Sequence, residues 1–288
     1  MPPPPGIVKI LGEGSSSPFV ARMFFGLLEV REVLYLGSVK PESRAEALAH
    51  FDLRFNPVWE AARATRDAAL EIAGLVTRHR DALRYGSAVH LSANQFEVGE
   101  SIDSSLGQAV DKLIDQGMVA VKSGLQGLLR DPLELDIGFL FKKDSQFRAG
   151  LESMAGAGEN QFTMYLEQVR EVWLKRFGEL RVAHEHQGWT LDPVRYQLAD
   201  SRVIVTLPEV LGLPADRFAT LHANRVLLLI ENATVYAMQR FCRLPLVVVE
   251  IPKELRDHLY PKRFRIAPRG LATSPEWTVS YSDDQEYL

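Results

Sequence analysis

This chain has one cysteine, Cys242, in 288 residues. No internal disulfide is possible, which fits a protein of the reducing cytoplasm. At the end of an apolar helix that thiol reads as core packing and not as a nucleophile. There is no run of about 18 uninterrupted apolar residues, which argues against a membrane span. The start, Met1-Pro2-Pro3-Pro4-Pro5-Gly6, lacks a basic segment followed by an apolar one. It reads as a short extended tail and not as a secretory signal. The His-Glu-x-x-His and Cys-x-x-Cys spacings are missing, and with them the usual zinc signatures. Missing too are Gly-x-Gly-x-x-Gly, the Walker A sequence and Gly-x-Ser-x-Gly. Gly12-Glu13-Gly14-Ser15-Ser16-Ser17 is a flexible turn without the Lys-Ser/Thr pair of a phosphate loop. Positive charge is in deficit: the net charge of -4 excludes a generally basic nucleic-acid coat. Any nucleic-acid contact must come from a local patch.

What remains is an ordinary globular composition, 46% hydrophobic and 24% charged, sufficient for one large domain or a core with appendages. Val30 to Val39 is rich in β-branched and aromatic residues and predicts a strand ending at Gly37. Phe19 to Leu28 fits strand or helix alike. Pro57 suits a first helical turn, and apolar residues recur at three- and four-residue steps from Trp59 to Leu83. Residues 91–103 are polar and read as a loop. Ser104 to Arg130 is helical. Asp131-Pro132-Leu133-Glu134 reads as the start of a further helix reaching Met154, broken at Ala155-Gly156-Ala157-Gly158. Asn160 to His186 is the most regular helix, with Phe162, Leu166, Val169, Trp173, Phe177 and Leu180 on one face and Gly188 placed to end it. Val203 to Leu207 predicts a strand, Asp216 caps a long helix to Phe241, and Leu246 to Ile251 predicts another strand. The acidic end, Asp283-Asp284-Gln285-Glu286, reads as frayed. The expected organisation is a tail and short β segment over residues 1–44, a mainly α helical core over 45–243, and a strand, basic segment and tail over 244–288.

Chemistry concentrates where the most regular helix stops, at Arg181-Val182-Ala183-His184-Glu185-His186. Arginine carries a permanent charge, and histidine exchanges a proton near neutral pH. Together they are the least that metal-free phosphodiester cleavage needs: a group to move the proton of a 2'-hydroxyl and a cation to hold charge developing on phosphorus. Spacing alone does not select this pair. Arg44/His50, Arg84/His90, Arg181/His186 and Arg217/His222 all place a histidine five or six residues after an arginine. Context favours Arg181/His186, which follows Trp173 and Phe177 and is flanked by His184 and Glu185. A helix dipole alone also favours cations at a helix end.

This helix order, with Phe139-Leu140-Phe141-Lys142-Lys143-Asp144 before the motif and a further long helix after it, resembles the HEPN superfamily. Its members are helical-bundle proteins with an Arg-x4-6-His motif, many of them metal-independent ribonucleases of toxin, abortive-infection and CRISPR systems. The resemblance covers residues 45–243. It implies a HEPN-like helical bundle acting on RNA as a homodimer, without a cofactor or metal, in phage defence or beside a regulatory or antitoxin protein. It implies that His186 activates the 2'-hydroxyl or protonates the leaving oxygen, that Arg181 binds the scissile phosphate, and that His184 or Glu185 orients His186. The product would carry a 2',3'-cyclic phosphate. Residues five apart on one helix diverge by about 140°, so Arg181 and His186 converge only if the helix ends there or a second protomer completes the site. Val182 departs from the pattern, since active members often carry Asn, Asp or His after the arginine. That residue and the acidic net charge favour a second reading, a non-catalytic helical module that binds a partner protein or nucleotide.

Two other features bear on function. His184-Glu185-His186 would share a face on a strand, but on a helix the two histidines diverge by about 200°, which disfavours a metal site. Lys262-Arg263-Phe264-Arg265 lies in a basic stretch able to track a phosphate backbone while Phe264 stacks on a base. The same stretch is equally a solvated loop or an arm toward acidic neighbours. Lys142-Lys143 and Lys175-Arg176 are further cationic pairs that would line the cleft of such a fold.

Overall fold

The helix over Ala215–Gln239, buried along most of its length, is the one the others pack around. The computed structural model describes residues 14–37, 41–84, 89–92, 95–99, 101–199, 202–242, 245–271, 276–283 and 287–288. A short turn, Pro18–Val20, runs through a π-helical segment, Ala21–Gly26, into α1, Leu27–Gly37. α2 spans Pro41–Arg84 and α3 spans Asp103–Met118; a π segment, Val119–Leu125, links α3 to α4, Gln126–Arg130. After a 3-10 turn at Gly138–Phe141 come α5, Asp144–Gly156, and α6, Asn160–Val169. A third π segment, Arg170–Leu174, joins α6 to α7, Lys175–His186. α8 spans Ala215–Gln239 and is buried almost from end to end. It packs on α1, α2 and α3, and one hydrophobic core runs from Phe19 to Tyr287. No helix among the described residues is long and apolar enough to cross a membrane.

Among the described residues the strands form two-stranded antiparallel pairs. β1, Val89–Ser92, pairs with β2, Gln95–Val98; β3, Arg195–Ala199, pairs with β4, Arg202–Thr206; β5, Glu209–Val210, pairs with β6, Leu213–Pro214. β7, Leu246–Glu250, pairs with β8, Phe264–Pro268, in a register that sets Val248 against Ile266.

Several sequence expectations need correction. Val30 to Gly37 is helix, not strand: Leu27, Val30 and Leu34 fall three and four residues apart and are buried together, and that period outweighs β-branched composition. Pro57 does not begin a helix but lies inside α2. It and Leu53, whose carbonyl loses its usual partner, are exposed, so water can take the place of the lost bond. The predicted loop at 91–103 contains most of the β1–β2 hairpin. Asp131 begins no helix: it is the C-terminal cap of α4, its N–H on the Gly127 carbonyl, its carboxylate holds Arg130 at 2.8 Å and Arg54 at 2.5 Å, and the next α-helix starts only at Asp144. The acidic end is anchored in part: Asp283 pairs with Arg225 at 2.8 Å and Tyr287 is buried. Asp284, Gln285 and Glu286 lie outside the described residues.

A buried polar knot ties the two ends of the chain to α8. Glu231 accepts from Arg22 at 2.7 and 3.1 Å, from Arg263 at 3.0 Å and from the Tyr287 hydroxyl at 2.6 Å. Arg263 also donates to Asn232 at 2.9 Å and Glu250 at 2.7 Å, and the Arg22 guanidinium lies 4.0 Å from the centre of the Tyr287 ring. Burial pushes the Glu231 carboxyl up, but Arg22 and Arg263 outweigh it and hold the group at about 2.

The turn before α5 depends on one glycine. A Cβ at Gly150 would run into the Phe139 ring, whereas one at Gly107 in α3 would meet open space. Alanine favours a helix interior by about 1 kcal/mol over glycine, and overpacking costs about 1–3 kcal/mol. Gly150→Ala should therefore lower the urea midpoint and Gly107→Ala raise it. Equal shifts for the two would remove the steric argument.

Candidate functional site

α7 ends where its sequence says it should. Gly188 takes a left-handed conformation with φ 67°, and the Trp189 N–H reaches back to the Ala183 carbonyl at 3.2 Å, closing the helix. This terminus fixes the four predicted site residues. Arg181 points toward α3: its Nε lies 3.8 Å from Asp115, and its Nη2 bonds Glu185. His184 also turns to α3, 3.4 Å from Asp111 and 4.0 Å from Asp115, with its ring edge-on to Trp189. Burial pushes the Asp111 carboxyl up and Asp115 adds to the rise, against the pull of His184. His186 stands away from both, its side chain 70% exposed, with Nε2 3.8 Å from the second oxygen of Glu185.

No hydrogen bond or ion pair joins Arg181 to His186 among the described residues. Glu185 lies between them, one oxygen toward each. This arrangement can orient a histidine for proton transfer, while it neutralises part of the arginine's charge. Of the other Arg-x4-6-His pairs, Arg217/His222 is unsuited to chemistry, because His222 is enclosed by Phe177, Phe218 and Trp173.

A groove of about 900 Å³ lies between the Gly138–Lys143 turn, two of the π segments and α7. Lys142, Lys143, Lys175, Arg176 and Arg181 line it, joined by Lys122 and Arg170, against only two carboxylates, Asp144 and Glu179. Its floor is apolar, with Met118, Leu140, Leu174 and Leu180. Two of the π segments contribute directly, one through Lys122 and the other through Arg170 and Leu174. Such single-turn widenings of a helix often occur at functional sites.

Two of the cations are structural. Arg170 is buried, with its side chain 4% exposed. It donates to the Leu140 carbonyl at 3.3 Å, the Lys142 carbonyl at 3.1 Å and Asp144 at 2.6 Å, and lies 4.1 Å from the centre of the Phe147 ring. Lys175 meets the same Asp144 at 3.1 Å. Hydrogen bonds from Arg170 and Lys175 hold the Asp144 carboxyl below its ordinary value. Lys122, Lys142, Lys143 and Arg176 have no acidic partner among the described residues, and all four are exposed.

The groove brings Lys142, Lys143, Lys175 and Arg176 together with Arg181. Lys122 and Arg170 also line it and are not among the residues singled out from the sequence. Arg170 was legible as an arginine on the buried face of α6–α7, four residues after Leu166 and three before Trp173. Lys262, Arg263, Phe264 and Arg265 lie outside the groove lining. Arg263 is in the polar knot, Phe264 is buried against Trp277 at 4.8 Å between ring centres, and Lys262 pairs with Glu29. Arg265 is exposed on β8, away from the groove lining. Among the described residues, no group of three or more His, Cys, Asp or Glu side chains is placed to hold a metal ion. No protein-family model, curated protein or solved structure matches this chain.

Proposed function

We propose that this chain binds the phosphate backbone of RNA along the α7 groove, as a cytoplasmic helical protein of HEPN-like kind. One observation carries the reading: a chain of net charge -4 gathers seven cationic side chains and two carboxylates in one groove. Nucleic-acid affinity is dominated by such local neutralisation of phosphates. Lys122, Lys142, Lys143 and Arg176 supply the charge, while Arg170 and Asp144 hold the turn that presents it.

A second reading, metal-independent cleavage, is favoured by the shared Glu185 carboxylate and the exposed His186 beside it. Here His186 moves the proton of the 2'-hydroxyl and Arg181 holds the phosphate. His186 does not line the groove, so a second protomer would bring its His186 to the RNA that the first one holds.

The test is titration of labelled single-stranded RNA at several salt concentrations, in EDTA, with wild type and Lys142→Ala/Lys143→Ala. The double variant should lose about tenfold in affinity and flatten the salt dependence by about 1.4 in log–log slope, two phosphates' worth for a single strand. Unchanged affinity and slope would overturn the groove. Cleavage products from the same samples decide the second reading: a 2',3'-cyclic phosphate lost in both Arg181→Ala and His186→Ala supports it, and intact RNA at every concentration removes it.

A further inference from the structure

The groove holds a flat aromatic side chain that phosphate binding does not require. Phe141 closes the 3-10 turn Gly138–Phe141, immediately before Lys142 and Lys143. Its two neighbours in the turn face the protein: Leu140 is buried, and Phe139 packs on Phe147 at 6.1 Å. Phe141 is half-buried, lines the groove, and has no other ring stacked on it among the described residues. The backbone on both sides of it is fixed by one buried group, since Arg170 donates to the carbonyls of Leu140 and Lys142. The backbone that carries the ring is therefore held in place before any ligand arrives, and only the side-chain torsions of Phe141 remain to be set on binding.

Resting on the groove reading, we infer that Phe141 is a stacking platform for one unpaired nucleobase, which makes the groove selective for single strands over duplexes. A base stacked on Phe141 leaves its phosphates beside Lys142 and Lys143, the next residues in the chain. Aromatic stacking adds affinity for any base, because every base has a π face. A base inside a duplex must first leave its own stack, which costs a few kcal/mol. A duplex therefore gains from the lysines alone.

The test compares three labelled probes of about 12 nucleotides, within the site sizes of single-strand binders: a mixed-sequence single-stranded RNA, an abasic ribose–phosphate strand, and an RNA duplex. Wild type should bind the single strand about tenfold more tightly than the abasic strand, the scale of one stacked base. Phe141→Leu, which keeps the apolar packing and removes the ring, should bind both strands equally at the wild-type abasic affinity. Phe141→Trp should retain the preference. A preference left intact by Phe141→Leu overturns the platform, and so does a duplex bound as tightly as the single strand by wild type. If Lys142→Ala/Lys143→Ala leaves the abasic affinity unchanged, the groove reading itself fails. That outcome is separate from loss of the preference alone.

Discussion

Glu231→Gln should lower the thermal unfolding midpoint by roughly ten degrees, at about 2–4 degrees per kcal/mol for a chain of this size. The glutamine is nearly the same shape, so packing changes little. What changes is charge. Arg22 and Glu231 are each 1% exposed, and Arg263 is 9% exposed. Removing the carboxylate leaves two guanidiniums in the core without the counter-charge they share there, while Arg263 keeps Glu250 at the edge of the knot. Breaking a buried ion pair from one side costs about 3–5 kcal/mol, whereas replacing both partners by apolar groups is often close to neutral. Adding Arg22→Met to Glu231→Gln should therefore restore part of the loss. A single-variant shift of less than two or three degrees, or a double variant worse than the single, would show that Glu231 does not anchor the core.

The second large effect is acid sensitivity set by His222. Its ring lies 4.4 Å from that of Phe218 and 5.3 Å from that of Phe177, and Nδ1 meets the Phe218 carbonyl at 3.1 Å. Burial pulls the imidazole down to about 4, against that hydrogen bond. A histidine held neutral when folded and free to charge when unfolded makes the unfolded state bind more protons between the two pKa values. Stability is therefore constant from this source above pH 6.5, falls as the pH drops, and levels off below about 4. The shift corresponds to roughly 3 kcal/mol. Glu231 acts in a lower window: its folded pKa is depressed from 4.5 to about 2, so the stability it contributes above 4.5 is lost as the pH falls toward 2. Urea unfolding from pH 7 to 3 should show both slopes in wild type and only the lower one in His222→Phe. An unchanged slope between 6.5 and 4.5 in that variant would assign the upper loss to other groups.

Helical periodicity made the long elements legible. α3, α6–α7 and α8 all carry apolar residues at three- and four-residue steps, and Gly188 marked the end of α7 from sequence alone. Errors fell where composition and period disagree, as in α1, or where one side chain has competing uses, as at Asp131, which closes α4 and binds two arginines in place of starting a helix. The three π segments left no local signal, because a helix widens through packing against its neighbours and not through one residue type. The groove was half visible. Its cations come from α3–α4, the 3-10 turn and α7, so charge pairs could be found in the sequence but their convergence could not. Lys262-Arg263-Phe264-Arg265 shows the converse. A run of cations looks like surface until a buried carboxylate far away in sequence claims one of them, as Glu231 claims Arg263.

The polar knot also sets an order of events during synthesis. Arg22 leaves the ribosome first, its carboxylate partner comes 209 residues later, and Tyr287 follows Glu231 by another 56. At roughly 5–20 residues per second, several seconds separate Glu231 from Tyr287. Through that interval the nascent chain holds a carboxylate and a guanidinium destined for the interior, with the last hydroxyl still to be made. Glu231 can pair with Arg22 as soon as both have emerged and with Arg263 32 residues later, so the knot assembles in steps and the Tyr287 hydroxyl joins last of the three donors.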